Sequence, residues 1–214
     1  MVYIYALNIC KLKDPLEHPE LMDGLGKIRT GKILRKKQLQ ARKQSLGAGI
    51  LLKHYLTKCG IEIDSIYYNE MGKPELEGIF FNLSHSEDYV VLAVAEKKVG
   101  VDIEKISKPR EGLEKRLFTQ SEAEYLQQQK EDRKWKEFYR IWTAKESFVK
   151  MTGEGIAQGL DNCEIQFADR INVYRDGNRC SCHVKEYNFS GYQLSVCAEE
   201  EEFADEIIWI SLNK

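Results

Sequence analysis

The stretch Val99-Gly100-Val101-Asp102-Ile103-Glu104, answered by Trp142-Thr143-Ala144-Lys145-Glu146-Ser147-Phe148-Val149-Lys150, decides how this chain is read. The first is an apolar run that predicts a strand, and alternate strand residues share a face, so Asp102 and Glu104 project the same way with their Cα atoms roughly 7 Å apart. Like charges that close are costly unless a cation or a basic group lies between them. The second segment predicts a helix from about Trp135 to Met151, ended by Gly153 and Gly155. Trp135, Tyr139, Trp142 and Val149 share the face of Glu146 by i+3/i+4 spacing. A carboxylate on an otherwise aromatic stripe needs a partner, and a metal ion is one candidate. The plain alternative is a solvent-facing Glu146–Lys150 pair worth about 0.2–0.5 kcal/mol. An oxygen-only donor set suits Mg²⁺, which takes one or two carboxylates together with substrate phosphates and water.

Working outward, Val2 to Ile9 reads as a first strand and residues 28–59 as one long helix or two consecutive ones, with Ala48, Leu52, Tyr55 and Leu56 in an apolar stripe. Gly60 is a natural stop. Residues 61–68 alternate and predict a strand; 69–78, with Gly72 and Pro74, predict a loop. Residues 79–83, 89–95 and 99–103 predict three strands with short links. Thr119-Gln120-Ser121-Glu122 is a capping box that opens a helix running to about Gln129. Residues 163–167, 171–174, 181–187 and 192–198 predict antiparallel strands, and Asp176-Gly177 a hairpin turn. Strands and helices do not alternate as βαβ units, so the expected class is α+β. A boundary near residue 100 divides the chain into two halves of similar size, 1–99 and 100–214.

The 214 residues, 43% hydrophobic and 31% charged, describe an ordinary globular protein. A net charge of −2 removes any global attraction to nucleic acid, although no acidic residue occurs between Asp23 and Glu62, where ten Lys and Arg residues fall. The six cysteines are scattered, the start lacks the basic and apolar regions of a signal peptide, and no run approaches a membrane span. A cytoplasmic protein with reduced thiols is expected. Cys180-Ser181-Cys182-His183 fits no common zinc spacing, and strand alternation explains it better.

Four further features carry chemistry. Asn82-Leu83-Ser84-His85-Ser86 reads as a small polar turn after a strand, where N–H groups and hydroxyls suit a phosphate and His85 adds a switchable donor; a turn with a capping serine explains it equally. Gly72-Lys73-Pro74 wraps a ligand or simply makes a turn. Glu122 completes the capping box, which accounts for it structurally, and is also a candidate general base. The basic helix face suits phosphates, although solvation is the usual fate of such a run.

Together with Arg116-Leu117-Phe118-Thr119-Gln120-Ser121-Glu122 and the segment Arg42 to Leu52, these motifs resemble the phosphopantetheinyl transferases of the surfactin-synthetase-activating type, over roughly residues 1 to 200. Each motif is modest; their shared order and spacing make the resemblance specific. It implies a monomer of two pseudo-symmetric α+β halves with coenzyme A in the cleft between them. It implies Mg²⁺ held by Asp102, Glu104, Glu146 and the cofactor's diphosphate, with Lys150 on that diphosphate. Ser84 and His85 would bind phosphate, Lys73 and Pro74 would lie against the adenine end, and Arg42 with one or more of Arg29, Lys32, Arg35 and Lys36 would meet the 3′-phosphate. Gln44, or Ser45 beside it, stands where some members use a threonine. The reaction implied is attack by a serine hydroxyl of an apo acyl, peptidyl or polyketide carrier protein on the β-phosphate, with 3′,5′-ADP leaving and Glu146 or Glu122 taking the proton. No nucleic-acid or membrane partner is expected. The residues alone also admit a metal-dependent nuclease, against which the Asn-Leu-Ser-His-Ser and Gly-Lys-Pro motifs stand, and a coenzyme A-binding module without turnover.

Overall fold

The run Tyr-Val-Val-Leu-Ala-Val-Ala at residues 89–95 has no polar alternation, the signature of a strand buried on both faces. In the computed structural model, which describes residues 1–69, 74–155, 160 and 162–212, this strand sits between two apolar layers. Strands β1 (Tyr3–Asn8), β4 (Phe80–Ser86), β5 (Tyr89–Ala95) and β12 (Ile208–Ile210) form one sheet in the order β12-β1-β5-β4. Strands β6 (Val99–Lys105), β7 (Cys163–Phe167), β8 (Ile171–Arg175), β10 (His183–Phe189) and β11 (Tyr192–Ala198) form a second in the order β6-β11-β10-β8-β7, with the short β9 (Asn178–Arg179) paired to β8. Two further short strands, β2 (Tyr67–Tyr68) and β3 (Pro74–Glu75), pair with each other.

Strand alternation sorts the core into three layers. Val91 and Ala93 of β5 meet Ile4 and Ala6 of β1, Val101 and Ile103 of β6, and Leu194 and Val196 of β11 between the sheets. The opposite faces, Leu7 of β1 and Val90, Leu92 and Val94 of β5, pack under the helix α2 (Leu39–Lys58) through Leu46, Leu51, Leu52 and Leu56. On the far side, α5 (Glu131–Thr152) covers the second sheet through Ile141, Ala144, Phe148 and Val149. The order is therefore helix, sheet, sheet, helix, in the α+β class expected.

Gly100 permits the closest of these approaches. A Cβ there would stand 2.0 Å from the Ser147 carbonyl oxygen and 2.4 Å from the Met151 nitrogen, both backbone atoms of α5 that cannot swing aside. The helix thus lies directly on β6, over the face that carries Asp102 and Glu104.

Several expectations need correction. The 28–59 segment is two helices, α1 (Lys27–Leu34) and α2. Residues 61–68 form a 3₁₀ turn (Ile63–Ser65) and only the two-residue β2. Asn82 to Ser86 are not a turn but the body of β4, and the tight turn falls at Glu87, whose φ is 46°. The hairpin at Asp176-Gly177 is present, with φ of 50° and 76° at the two residues. β12 was not foreseen: it lies parallel to β1, Tyr5 opposite Ile208, so a strand of the later half completes the first sheet. Gly72 and Lys73 lie outside the described residues.

Thr119 and Glu122 do form a reciprocal capping box at the start of α4 (Gln120–Gln127), which follows the single-turn α3 (Glu114–Leu117). Glu122 is nevertheless more than a cap. It is buried, its Oε1 accepts from the Ile165 N–H at 2.7 Å, and its Oε2 accepts from the Thr119 N–H and meets Lys145 Nζ at 2.6 Å. Lys145 is fully buried and also donates to the Leu117 carbonyl. The pair locks α4 and β7 to α5, and both Glu122 oxygens are committed to it.

Two stability predictions follow from this packing. Gly100→Ala should lose about 3 kcal/mol in urea denaturation, because backbone must move to admit the methyl; a loss below about 1 kcal/mol would contradict the close approach. Lys145→Met should cost about 3–5 kcal/mol by stranding a buried charge. Adding Glu122→Gln to Lys145→Met should recover part of that loss, and two fully additive penalties would show that the groups do not act as a pair.

Candidate active site

An edge strand leaves alternate N–H groups without a ladder partner, and burial makes each of them costly. β6 is such an edge, with β11 on one side only. Asn82, Ser84 and Ser86, spaced by two along β4, supply the missing acceptors. Asn82 Oδ1 takes the Val101 N–H at 3.1 Å, Ser84 Oγ the Ile103 N–H at 3.4 Å, and Ser86 Oγ the Lys105 N–H at 3.0 Å. A hydroxyl that accepts still has a proton to donate. Ser84 gives its proton to Asp102 Oδ1 at 2.8 Å and Ser86 to Glu104 Oε2 at 3.0 Å. The two serines therefore join the sheets and aim the two carboxylates in one repeated unit.

α5 brings Glu146 and Lys150 over the same face. Lys150 Nζ lies 2.5 Å from Asp102 Oδ1 and donates to Ser84 Oγ at 3.1 Å and to the Val101 carbonyl at 3.3 Å. The acids sense one another. Burial and the charge of Asp102 push the Glu104 carboxyl up, against hydrogen bonds from Ser86 and Trp142. Burial, then Asp102, push Glu146 up to about 7, although Lys150 opposes the rise.

Among the described residues, no three His, Cys, Asp or Glu side chains are grouped closely enough to hold a metal ion by themselves. Two buried oxygens, Asp102 Oδ2 and Glu146 Oε1, are nonetheless left with no hydrogen-bond partner. An incomplete, oxygen-only donor set with orphaned carboxylate oxygens fits Mg²⁺, which relies on substrate phosphate and water for its remaining ligands. It does not fit zinc, and the six cysteines are free thiols.

The other side of β4 borders a groove of about 610 Å³ between α1 and α2, lined by Arg29, Lys32, Arg35 and Lys36 and by Gln44 and Ser45, with His85 and Pro74 at its wall. Burial lowers the pKa of Lys32, and the charges of Arg29, Lys36 and Arg35 lower it further, as expected in a cluster of positive charge. Burial lowers His85 too, and it feels both Lys150 and Lys36. His85 thus stands electrostatically between the carboxylate site and the basic groove, with β4 as their common wall.

Of the residues singled out from sequence, Ser84, Asp102, Glu104, Glu146 and Lys150 come together, and Lys32, Arg35, Pro74 and His85 line the groove. Two do not join them. Glu122 is held in the buried pair described above. Arg42 turns away: its guanidinium forks onto Asp14 and onto the Lys36 and Lys37 carbonyls, and it does not line the groove. Sequence reading missed Ser86 as a carboxylate partner because its spacing of two was assigned to a turn. It missed Lys145 because nothing in a charged helix marks which lysine is buried. No helix among the described residues is long and apolar enough to cross a membrane.

A family model described as the 4′-phosphopantetheinyl transferase superfamily matches residues 98–197, the segment that runs from β6 through α5 to β11. The chain is 32% identical over 162 residues to the 4′-phosphopantetheinyl transferase ffp of Bacillus subtilis, covering 74% of this chain and 72% of that protein. It is 29% identical over 162 residues to the 4′-phosphopantetheinyl transferase Sfp of Bacillus subtilis strain 168, with the same coverage. It is 33% identical over 168 residues to the 4′-phosphopantetheinyl transferase HetI of Nostoc sp., covering 71% of this chain and 70% of that protein. With a site of the expected residues assembled between β4, β6 and α5, and relatives matched over more than two thirds of their length, the chain belongs to the 4′-phosphopantetheinyl transferases of the Sfp type.

Proposed function

We propose that the donor is coenzyme A, the acceptor a serine hydroxyl of an apo carrier protein and the leaving group 3′,5′-ADP. The observation that supports this reading most directly is the placement of two complementary surfaces on opposite sides of one strand. The basic groove suits a 3′-phosphate, and the carboxylate–lysine cluster suits a cation-bound diphosphate. Coenzyme A carries both groups on one molecule.

In this reading Arg29, Lys32, Arg35 and Lys36 hold the 3′-phosphate by charge, and His85 bridges toward the diphosphate. Pro74, with Lys73 outside the described residues, lies against the adenine end. Lys150 exchanges Asp102 for a diphosphate oxygen and stabilises the charge that develops on the leaving phosphate. The serine oxygen forms a bond to the β-phosphorus as the bond from that phosphorus to the bridging oxygen breaks. The hydroxyl proton goes to Glu146, directly or through one water; its Oε1 is buried and has no hydrogen-bond partner. Glu122 has no free oxygen for that task. Asp102, Glu104 and Glu146 are the residues that would hold Mg²⁺, which supplies neutralisation of diphosphate charge when bound. No residue of the chain bonds to the transferred arm, so positioning supplies much of the rate.

The test is direct. Incubation with coenzyme A, Mg²⁺ and an apo carrier protein should add the phosphopantetheine mass to the carrier serine, and no gain across carriers from several pathways would refute the assignment. Chelation should stop transfer and added Mg²⁺ should restore it; turnover that survives chelation would remove the metal from the reading. Asp102→Asn and Glu146→Gln should each lower kcat by at least about 100-fold with little change in melting temperature, and full activity in either would remove that residue from the site.

A further inference from the structure

α1 carries Arg29 and Lys32 of the groove, and the residues that follow it include Arg35 and Lys36. It has eight residues, too few for a helix to persist on its own, and Ile33 is its only fully buried side chain. Its C-terminal carbonyls and those of the connector to α2 need partners. The Arg35 and Lys36 N–H groups close the end of α1 onto the Gly31 and Ile33 carbonyls, and Arg42, in the first turn of α2, serves the connector, donating from Nη1 to the Lys36 carbonyl at 3.1 Å and to the Lys37 carbonyl at 2.7 Å. The rest of its guanidinium is gripped by Asp14, with Nε to Oδ1 at 2.8 Å and Nη2 to Oδ2. Asp14 is itself fixed by its own turn: its Oδ1 accepts the Leu16 N–H, and its carbonyl accepts the Glu17 and His18 N–H groups. Both side chains are largely withdrawn from solvent, at 16% and 11% exposure, so the pair is not a loose surface contact.

We infer that Asp14 and Arg42 are positioning residues for the 3′-phosphate groove, acting through the connector that carries Lys36 and sets the angle of α1. This rests on the reading of the groove as the 3′-phosphate site. It assigns Arg42 a role different from direct phosphate contact and gives Asp14 a role that its negative charge alone would argue against. Removing Asp14 makes the neighbourhood of the groove more positive, so electrostatics alone predicts tighter binding of a phosphate there. Positioning predicts the reverse, because Arg42 loses the fork that aims it at the connector.

Steady-state kinetics of Asp14→Ala and Arg42→Lys with coenzyme A and with 3′-dephospho-coenzyme A separate these outcomes. KM for coenzyme A should rise about tenfold, below the roughly hundredfold that a 1 Å misplacement can cost. kcat at saturation should stay within about twofold, and KM for the dephospho compound should not move. Preference for the 3′-phosphate therefore falls in the variants, which general loosening of the fold would not produce. An Asp14→Ala protein whose preference equals or exceeds that of the wild type overturns the inference alone. A wild type that does not distinguish the two donors overturns the groove reading and the inference with it. Should Asp14→Ala melt below the assay temperature, Asp14→Asn, which keeps an acceptor for Leu16, carries the same comparison.

Discussion

Ser84 and Ser86 perform the interaction on which the rest of the molecule depends. Each hydroxyl accepts an edge N–H of β6 and donates to the carboxylate one residue earlier on that strand. The accepted bond joins two sheets that share no backbone ladder across this line. The donated bond helps fix the orientation of each acid. A hydroxyl is the smallest side chain able to do both at once. Structural closure and carboxylate alignment are therefore the same set of contacts, and a change that loosens one loosens the other.

Charge is distributed with the same economy. Asp102 and Glu146 are both buried, with Lys150 as the nearby countercharge in the resting protein. Buried ionised groups are tolerated only where something offsets them. The lysine does so here, 2.5 Å from Asp102 Oδ1. The Glu122–Lys145 pair, immediately next to Glu146 on α5, shows the contrasting case. There both partners are sealed, every Glu122 oxygen is used, and the outcome is rigidity without chemistry.

Much of this was legible in sequence, for identifiable reasons. The apolar run at 99–103 reads as a strand and the spacing around Glu146 as a helix, and both elements form, with α5 over the face of the strand that carries Asp102 and Glu104. The capping box at Thr119 is a local motif, and it formed as local chemistry dictates. What failed was non-local. Asn82 to Ser86 look like a turn because they are small and polar, yet they form a strand whose polar face is satisfied by a neighbouring edge, a partner that no local window contains. Residues 61–68 alternate but find only two-residue pairing, because among the described residues no long strand lies alongside them. The resemblance implies Arg42 at the 3′-phosphate, while the fold brings Asp14 to it from outside the acid-free stretch. Lys73 lies outside the described residues, so its place at the adenine end stands on resemblance alone.

The parallel pairing of β12 with β1 has a consequence for how the molecule is made. Tyr5 and Ile208 are about two hundred residues apart in the chain, so the outer rim of the first sheet cannot close until nearly all the intervening polypeptide has left the ribosome. Closing so long a loop carries an entropic cost that local contacts must meet first. Until then β1 presents an open, apolar rim, a template for pairing with other nascent chains. Synthesis in a crowded cell therefore puts a premium on early docking of α2 against β1 and β5, which shields that surface while the rim waits for its last partner.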